Sequence, residues 1–174
     1  MNGETISKML DHSLFNKISS FVFDVDGVLT DGSVVVKENG DLLRIMNVRD
    51  GQAIKVALDR GYRIGIITKG SSRGVRKRLE MLGIIDIYDH LSVKTDAMDN
   101  FVSKYQLKKS ELLYMGDDLP DLALKEKVSL FCCPNDATVD VLEQADFISP
   151  LRGGKGCVRN IIERVLKIQD SWYI

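Results

Sequence analysis

The 174-residue sequence predicts an α/β fold in which a mainly parallel sheet is flanked by helices. Two observations lead there. Short apolar runs alternate with segments of helical periodicity along the chain. Two of those runs, Phe21-Val-Phe23 and Leu112-Leu-Tyr-Met115, stop abruptly in loops rich in aspartate and glycine. A parallel sheet brings both loops to one edge, where open α/β folds place their chemistry.

The elements follow in order. A helix is predicted over residues 5–17, and residues 20–24 read as a buried strand. Residues 33–36 and 42–48 flank Lys37-Glu-Asn-Gly40, with Asn39-Gly40 at the turn. A β-hairpin over residues 33–48 is therefore expected as an insertion after the first strand. Asp50 is placed to cap a helix that Gly61 ends. A second buried strand is predicted at 62–67 and a helix at 72–82, stopping at Gly83. A short strand at 85–88 then precedes a helix over 94–105. The pattern closes with strands at 112–115, 128–132 and 147–148, a short helix after Pro120, and helices at 137–144 and 158–168. No repeat, low-complexity tract or Pro/Gly-rich linker divides the chain, so a single domain over 1–174 is expected.

Composition narrows the class. Hydrophobic content of 44% and charged content of 28% are ordinary for a soluble globular protein. A net charge of −1 provides no basic footprint, which argues against a nucleic-acid partner. Three cysteines, two of them adjacent, have neither disulfide-framework nor zinc spacing, and reduced thiols fit a cytoplasmic protein. The first fifteen residues lack the apolar stretch of a signal peptide. No run approaches the roughly 18 apolar residues that span a bilayer, so no membrane partner is expected.

The acidic loops carry the chemistry. Asp24 and Asp26 lie two residues apart, so in a continuing strand they point the same way. Gly116-Asp117-Asp118-Leu-Pro-Asp121 follows the second run. Five carboxylates at one sheet edge repel one another unless neutralised. An all-oxygen set of this kind suits a hard cation, and Mg²⁺ prefers a few carboxylates with water and substrate phosphate. Thr68 ends a third apolar run and offers a hydroxyl to a phosphate oxygen, although threonine there is also a common turn former. Lys94 opens a helix and offers a cation, or is a solvated surface lysine. The order Asp-x-Asp, Thr, Lys, Gly-Asp-Asp-x-x-Asp is more specific than any of its parts.

With these four motifs in this order, nearly the whole chain resembles the haloacid dehalogenase (HAD) superfamily of aspartate-nucleophile phosphatases. The resemblance implies a Rossmann-like fold. It implies Asp24 as nucleophile, Asp26 as general acid and base, and Thr68 and Lys94 on the phosphoryl oxygens. Mg²⁺ would be bound by Asp24, the Asp26 main-chain carbonyl and Asp117, with Asp118 and Asp121 in support. Only the hairpin intervenes between the first motif and the next helix, and core elements fill the stretch from Thr68 to Asp117, so a member with no cap domain is expected.

Asp24-Val-Asp-Gly-Val-Leu-Thr-Asp-Gly32, Asn47-Val-Arg-Asp-Gly51, Gly116-Asp-Asp118 and Arg152-Gly-Gly-Lys-Gly156 resemble the capless phosphatases of 3-deoxy-D-manno-octulosonate 8-phosphate (KDO 8-phosphate). That implies a small-molecule sugar-acid phosphate as substrate, and a homotetramer whose hairpins pair at its centre and whose subunits close one another's sites. Physically, an open site on a small chain needs something to exclude water, and an exposed hairpin edge seeks a partner. Phosphatases of N-acylneuraminate 9-phosphate or 2-keto-3-deoxynononate 9-phosphate fit the same motifs. A non-catalytic oligomeric binding module on the same scaffold is the alternative of a different class. Two positions depart from the pattern: Lys69-Gly70 follow Thr68 where glycine is usual, and Lys155 stands where arginine is common. Arg49 and Lys155 are candidates to bind a sugar carboxylate, and each could equally be a surface or interface charge.

Overall fold

In the computed structural model, which describes residues 12–172, the strand carrying the first acidic loop lies inside the sheet. This strand, β1 (Ser20–Phe23), pairs in parallel with β4 (Arg63–Ile67) on one side and β6 (Leu112–Met115) on the other. Beyond β4 lies β5 (Asp86–Tyr88); beyond β6 lie β7 (Leu130–Cys133) and β8 (Phe147–Ile148). All six strands run parallel, in the order β5-β4-β1-β6-β7-β8. Strands covered on both faces are apolar throughout, which is why the runs read as continuous rather than alternating.

Side-chain alternation still divides the interior in two. Phe21, Phe23, Leu113 and Met115 face a core shared with α2 (Val48–Asp59) and α6 (Cys157–Ile168). Val22, Leu112, Tyr114 and Phe131 face a second core with Met98 and Phe101 of α4 (Lys94–Tyr105). The short α1 (His12–Phe15), α3 (Arg73–Met81) and α5 (Val139–Gln144) complete the α-helices among the described residues. Residues 5–11 of the expected first helix lie outside the described range.

Among the described residues the predicted elements are present, several with ends shifted by one or two residues, as in β7 and α5, and three differ further. Asn47, not Asp50, caps α2: the Asn47 side chain accepts from the Arg49 amide at 2.8 Å. Asp50 instead sits buried in the first turn and accepts from the Arg159 amide of α6 at 2.7 Å. A carboxylate in a first turn can serve a neighbouring helix start as well as its own. The hairpin strands are two residues each, β2 (Val35–Val36) and β3 (Leu42–Leu43), turning at Gly40 with φ +84°. The segment after Asp118 winds as a 3₁₀ helix, Leu119–Lys127.

The only insertion between β1 and α2 among the described residues is this hairpin. It exposes a row of apolar side chains, with Val36 69% and Ile45 73% exposed. The three cysteines are free and buried. No helix among the described residues is long and apolar enough to cross a membrane.

Candidate active site

Three parallel strands deliver their C-terminal residues to one place. β1 runs into Asp24, β4 into Thr68, and β6 into Gly116-Asp117, with Phe23 in register with both Ile66 and Met115. The Asp24 amide donates to the Met115 carbonyl at 3.0 Å, so the pairing continues into the acidic loop. Lys94, the first residue of α4, reaches across the same edge. Asp24, Thr68, Lys94 and Asp117, with Asp26, Asp118 and Asp121, line a cavity of about 340 Å³.

Lys94 is the electrostatic centre. Its Nζ lies 2.9 Å from Asp24 Oδ2 and 2.5 Å from Asp121 Oδ1, with all three groups buried. Burial works against the lysine charge, but Asp24 and Asp121 outweigh it and hold the ammonium above its usual pKa. Asp121 is fully engaged: Oδ1 also accepts from the Tyr114 hydroxyl, and Oδ2 accepts from the amides of Asp117 (2.9 Å) and Asp118 (3.2 Å). Its carboxylate therefore builds the loop that presents Asp117. Asp118 caps the 3₁₀ helix, accepting from the Leu119 amide at 2.7 Å.

Asp24 and Asp117 are less well compensated. Burial pushes Asp24 up to about 6, against the pull of Lys94. Burial, then repulsion by Asp24 and Asp121, pushes Asp117 up to about 7. Oxygens of Asp24, Asp117 and Asp121 lie within 4.8 Å of one another. Two raised carboxylates beside one lysine are short of positive charge, and their donor set is all oxygen, so the residues present fit a hard divalent cation. Gly27 makes the approach possible, since a β-carbon there would lie 2.0 Å from Asp117 Oδ2.

Asp26 points elsewhere. Both its oxygens accept from Arg44, a residue just beyond β3: Nε to Oδ1 at 2.7 Å and Nη2 to Oδ2 at 3.1 Å. Thr68 is buried, its Oγ1 accepting from the Gly70 amide at 3.1 Å. Arg49 and Lys155 share a separate groove of about 620 Å³ that has no lining residue in common with the acidic cavity. Lys155 pairs with Asp31 at 3.2 Å. Sequence reasoning thus brought Asp24, Asp26, Thr68, Lys94, Asp117, Asp118 and Asp121 to one cavity, and not Arg49 and Lys155.

It also missed two residues. Tyr114 carried a signal, because a hydroxyl inside a buried strand needs a partner. Arg44 interrupts an apolar stretch, but nothing local could pair it with an aspartate 18 positions earlier.

No family model matches the chain. The 3-deoxy-D-manno-octulosonate 8-phosphate phosphatase KdsC of Salmonella typhi is 36% identical over 154 residues, covering 88% of this chain and 82% of that protein. The chain belongs to that phosphatase family. The KdsC of Escherichia coli K12 matches to the same extent. Among solved structures, the phosphatase of this family from Moraxella catarrhalis, in complex with magnesium ion, phosphate ion and KDO, has a TM-score of 0.89 at 30% identity, covering 92% of each chain. The family's phosphatase from Yersinia pestis has a TM-score of 0.90 at 30% identity, covering 92% of this chain and 87% of that one. A Legionella pneumophila protein described as a HAD superfamily, subfamily III A, hydrolase also has a TM-score of 0.90, at 34% identity and covering 92% and 88%. The fold is the capless HAD fold that the motifs implied.

Proposed function

We propose that the chain hydrolyses KDO 8-phosphate to KDO and phosphate, with Mg²⁺ as cofactor, through an aspartyl-phosphate on Asp24. The observation that carries this reading is the convergence of Asp24, Lys94, Thr68 and Asp117 at one sheet edge, in a chain whose relatives carry that activity in their names. Asp24, the Asp26 main-chain carbonyl and Asp117 would hold Mg²⁺, with Asp118 and Asp121 in support. When bound, the cation screens the repulsion between an anionic nucleophile and an anionic phosphate.

The residues then divide the work. An Asp24 oxygen forms a bond to phosphorus as the bond to the sugar oxygen breaks, and Asp26 delivers a proton to that departing oxygen. In the second displacement Asp26 takes a proton from water, whose oxygen attacks phosphorus and releases Asp24 and inorganic phosphate. Thr68 and Lys94 hold the phosphoryl oxygens. Lys94 already neutralises part of the Asp24 charge at 2.9 Å.

The exposed apolar hairpin supports self-association of the chain, and we propose that the assembly is a homotetramer of single-domain chains in the cytoplasm. Arg49 and Lys155 fit contacts between copies better than the cavity of their own chain. Phosphate release with Mg²⁺ from KDO 8-phosphate, N-acetylneuraminate 9-phosphate, 2-keto-3-deoxynononate 9-phosphate and glucose 6-phosphate tests the reading. KDO 8-phosphate should lead, and Asp24→Asn should abolish turnover. Preference for glucose 6-phosphate over every keto-sugar acid would overturn the substrate assignment, and substantial activity in Asp24→Asn would overturn the nucleophile.

A further inference from the structure

Arg44 holds the group that must move a proton. Its guanidinium takes both oxygens of Asp26, at 2.7 and 3.1 Å, in the two-pronged geometry that arginine makes with carboxylates. The Thr30 hydroxyl adds a longer contact to Oδ1 at 3.4 Å. Each oxygen keeps a further lone pair, but the fork fixes the carboxylate on Arg44, so Asp26 cannot turn toward a departing sugar oxygen while both bonds hold. At least one of the two hydrogen bonds has to open during turnover.

Opening it is costly unless Arg44 finds another anion. Its side chain is 8% exposed, and stripping a buried cation of its partner is strongly unfavourable. The pocket around the pair offers no vacant substitute: Asp89, the other carboxylate lining it, is held by Arg76 at 2.9 and 2.7 Å. The replacement must come with the ligand.

Arg44 is placed to meet one. It lines the pocket that contains Asp26, Thr68 and Gly70, three residues that also line the acidic cavity. It also lines a groove of about 810 Å³ between the hairpin and α3, together with Arg73, Arg78 and Asp41, whose carboxylate is already taken by Lys37 at 3.3 Å and Asn39 at 2.9 Å. That groove has room for a sugar chain and a surplus of positive charge.

We propose that Arg44 is a specificity-determining residue that exchanges carboxylates: the substrate's own carboxylate draws the guanidinium off Asp26 and so frees the acid. A neutral sugar phosphate leaves the Arg44–Asp26 pair closed and turns over slowly. The inference rests on the proposed role of Asp26, and it makes discrimination between acidic and neutral sugars a property of the hairpin.

The test compares the wild type, Arg44→Met and Arg44→Lys in Mg²⁺ on three substrates: KDO 8-phosphate, mannose 6-phosphate and p-nitrophenyl phosphate. The last has a leaving group that needs no proton, so it isolates the second displacement, in which Asp26 acts as base; circular dichroism reports the fold. In Arg44→Met, kcat/KM for KDO 8-phosphate should fall by about tenfold or more, while that for mannose 6-phosphate holds or rises. The ratio between them collapses, and p-nitrophenyl phosphate, which has no carboxylate, follows mannose 6-phosphate and holds or rises. Arg44→Lys keeps the charge without the fork and should give an intermediate ratio. Equal losses on both sugars, or a matching loss on p-nitrophenyl phosphate, would overturn the exchange. So would a wild type that does not discriminate between the two sugars. A wild type that hydrolyses none of the three overturns the phosphatase reading instead.

Discussion

Gly153 backs directly onto Gly27: a β-carbon on Gly153 would lie 1.9 Å from the Gly27 carbonyl oxygen. The Arg152-Gly-Gly-Lys-Gly156 segment is thus a strut against the loop that carries Asp24 and Asp26. The Gly154 amide donates to the Val28 carbonyl at 2.9 Å, and the Asn47 side chain donates to the Gly154 carbonyl at 3.3 Å. Gly153→Ala should force the catalytic loop aside, costing about 1–3 kcal/mol and lowering kcat with it. Gly61→Ala is the control, since Gly61 has φ +85° and open space around it. It should cost about 1–2 kcal/mol and leave kcat unchanged. Thermal unfolding and turnover of the two variants check this.

Lys94 separates the contribution of charge from that of shape. Lys94→Met removes the cation between Asp24 and Asp121 while filling similar space. Turnover should drop by about a hundredfold or more. Tyr114→Phe removes only the hydroxyl that donates to Asp121, and about 1–3 kcal/mol of stability should go with it. Denaturant unfolding together with kcat for both variants measures the difference.

Metal and proton compete for the same oxygens. The folded-state pKa values of Asp24 and Asp117 are raised to about 6 and about 7. A raised carboxylate contributes stability that is present below its unfolded value near 4 and lost as pH rises through the folded value. Metal-free protein should therefore lose stability between about pH 4 and pH 7. Because the ligands must be deprotonated, added Mg²⁺ should raise the melting temperature more at pH 8 than at pH 5.5. Asp117→Asn should abolish that increment. Thermal melts with and without MgCl₂ at the two pH values decide it.

Asp50 gives a second, metal-independent pH signature. Burial raises it to about 6, although the amides of Arg159 and Gly156 donate to it. Its Oδ2 has no hydrogen-bond partner. By the same sign, its contribution is present below about pH 4 and lost through about pH 6, an order of 2–3 kcal/mol. Asp50→Asn stays neutral and keeps an accepting oxygen, so its stability should lack this decline. The difference in unfolding free energy between the two proteins at pH 4.5 and pH 7.5 measures it.

The hairpin should set the oligomeric state. Val36→Asp puts a charge into its exposed apolar row, which is tolerable in a monomer and not in a buried interface. The variant should elute as smaller species in light-scattering chromatography while its circular dichroism stays that of the folded chain. An unchanged oligomer would remove the hairpin from the interface.

The core of the fold was legible because each strand is a short apolar run and each helix has its own stop, such as Gly61 and Gly83 with their positive φ. Helix α4 and strands β6 and β8 start and end where the pattern places them. Boundaries failed where a residue served a distant partner. Asp50 looks like a helix cap in sequence, and it does hold a helix start, but that of α6 rather than α2. The hairpin strands came out shorter than the apolar pattern because no sheet covers either face of them.

By itself, the sequence determined the order of the motifs and hence that Asp24, Thr68, Lys94 and Asp117 converge. Parallel strands carry whatever follows them to one edge, and that rule needs only the alternation of strands and helices. Only the tertiary structure decided what each side chain does on arrival. Pairings across 18, 27 or 109 positions, such as Arg44 with Asp26, Lys94 with Asp121 and Asp50 with Arg159, leave no local trace. They arise because leaving a charge or hydrogen-bonding group buried without a partner is costly, so most find one in space, wherever in the chain it lies.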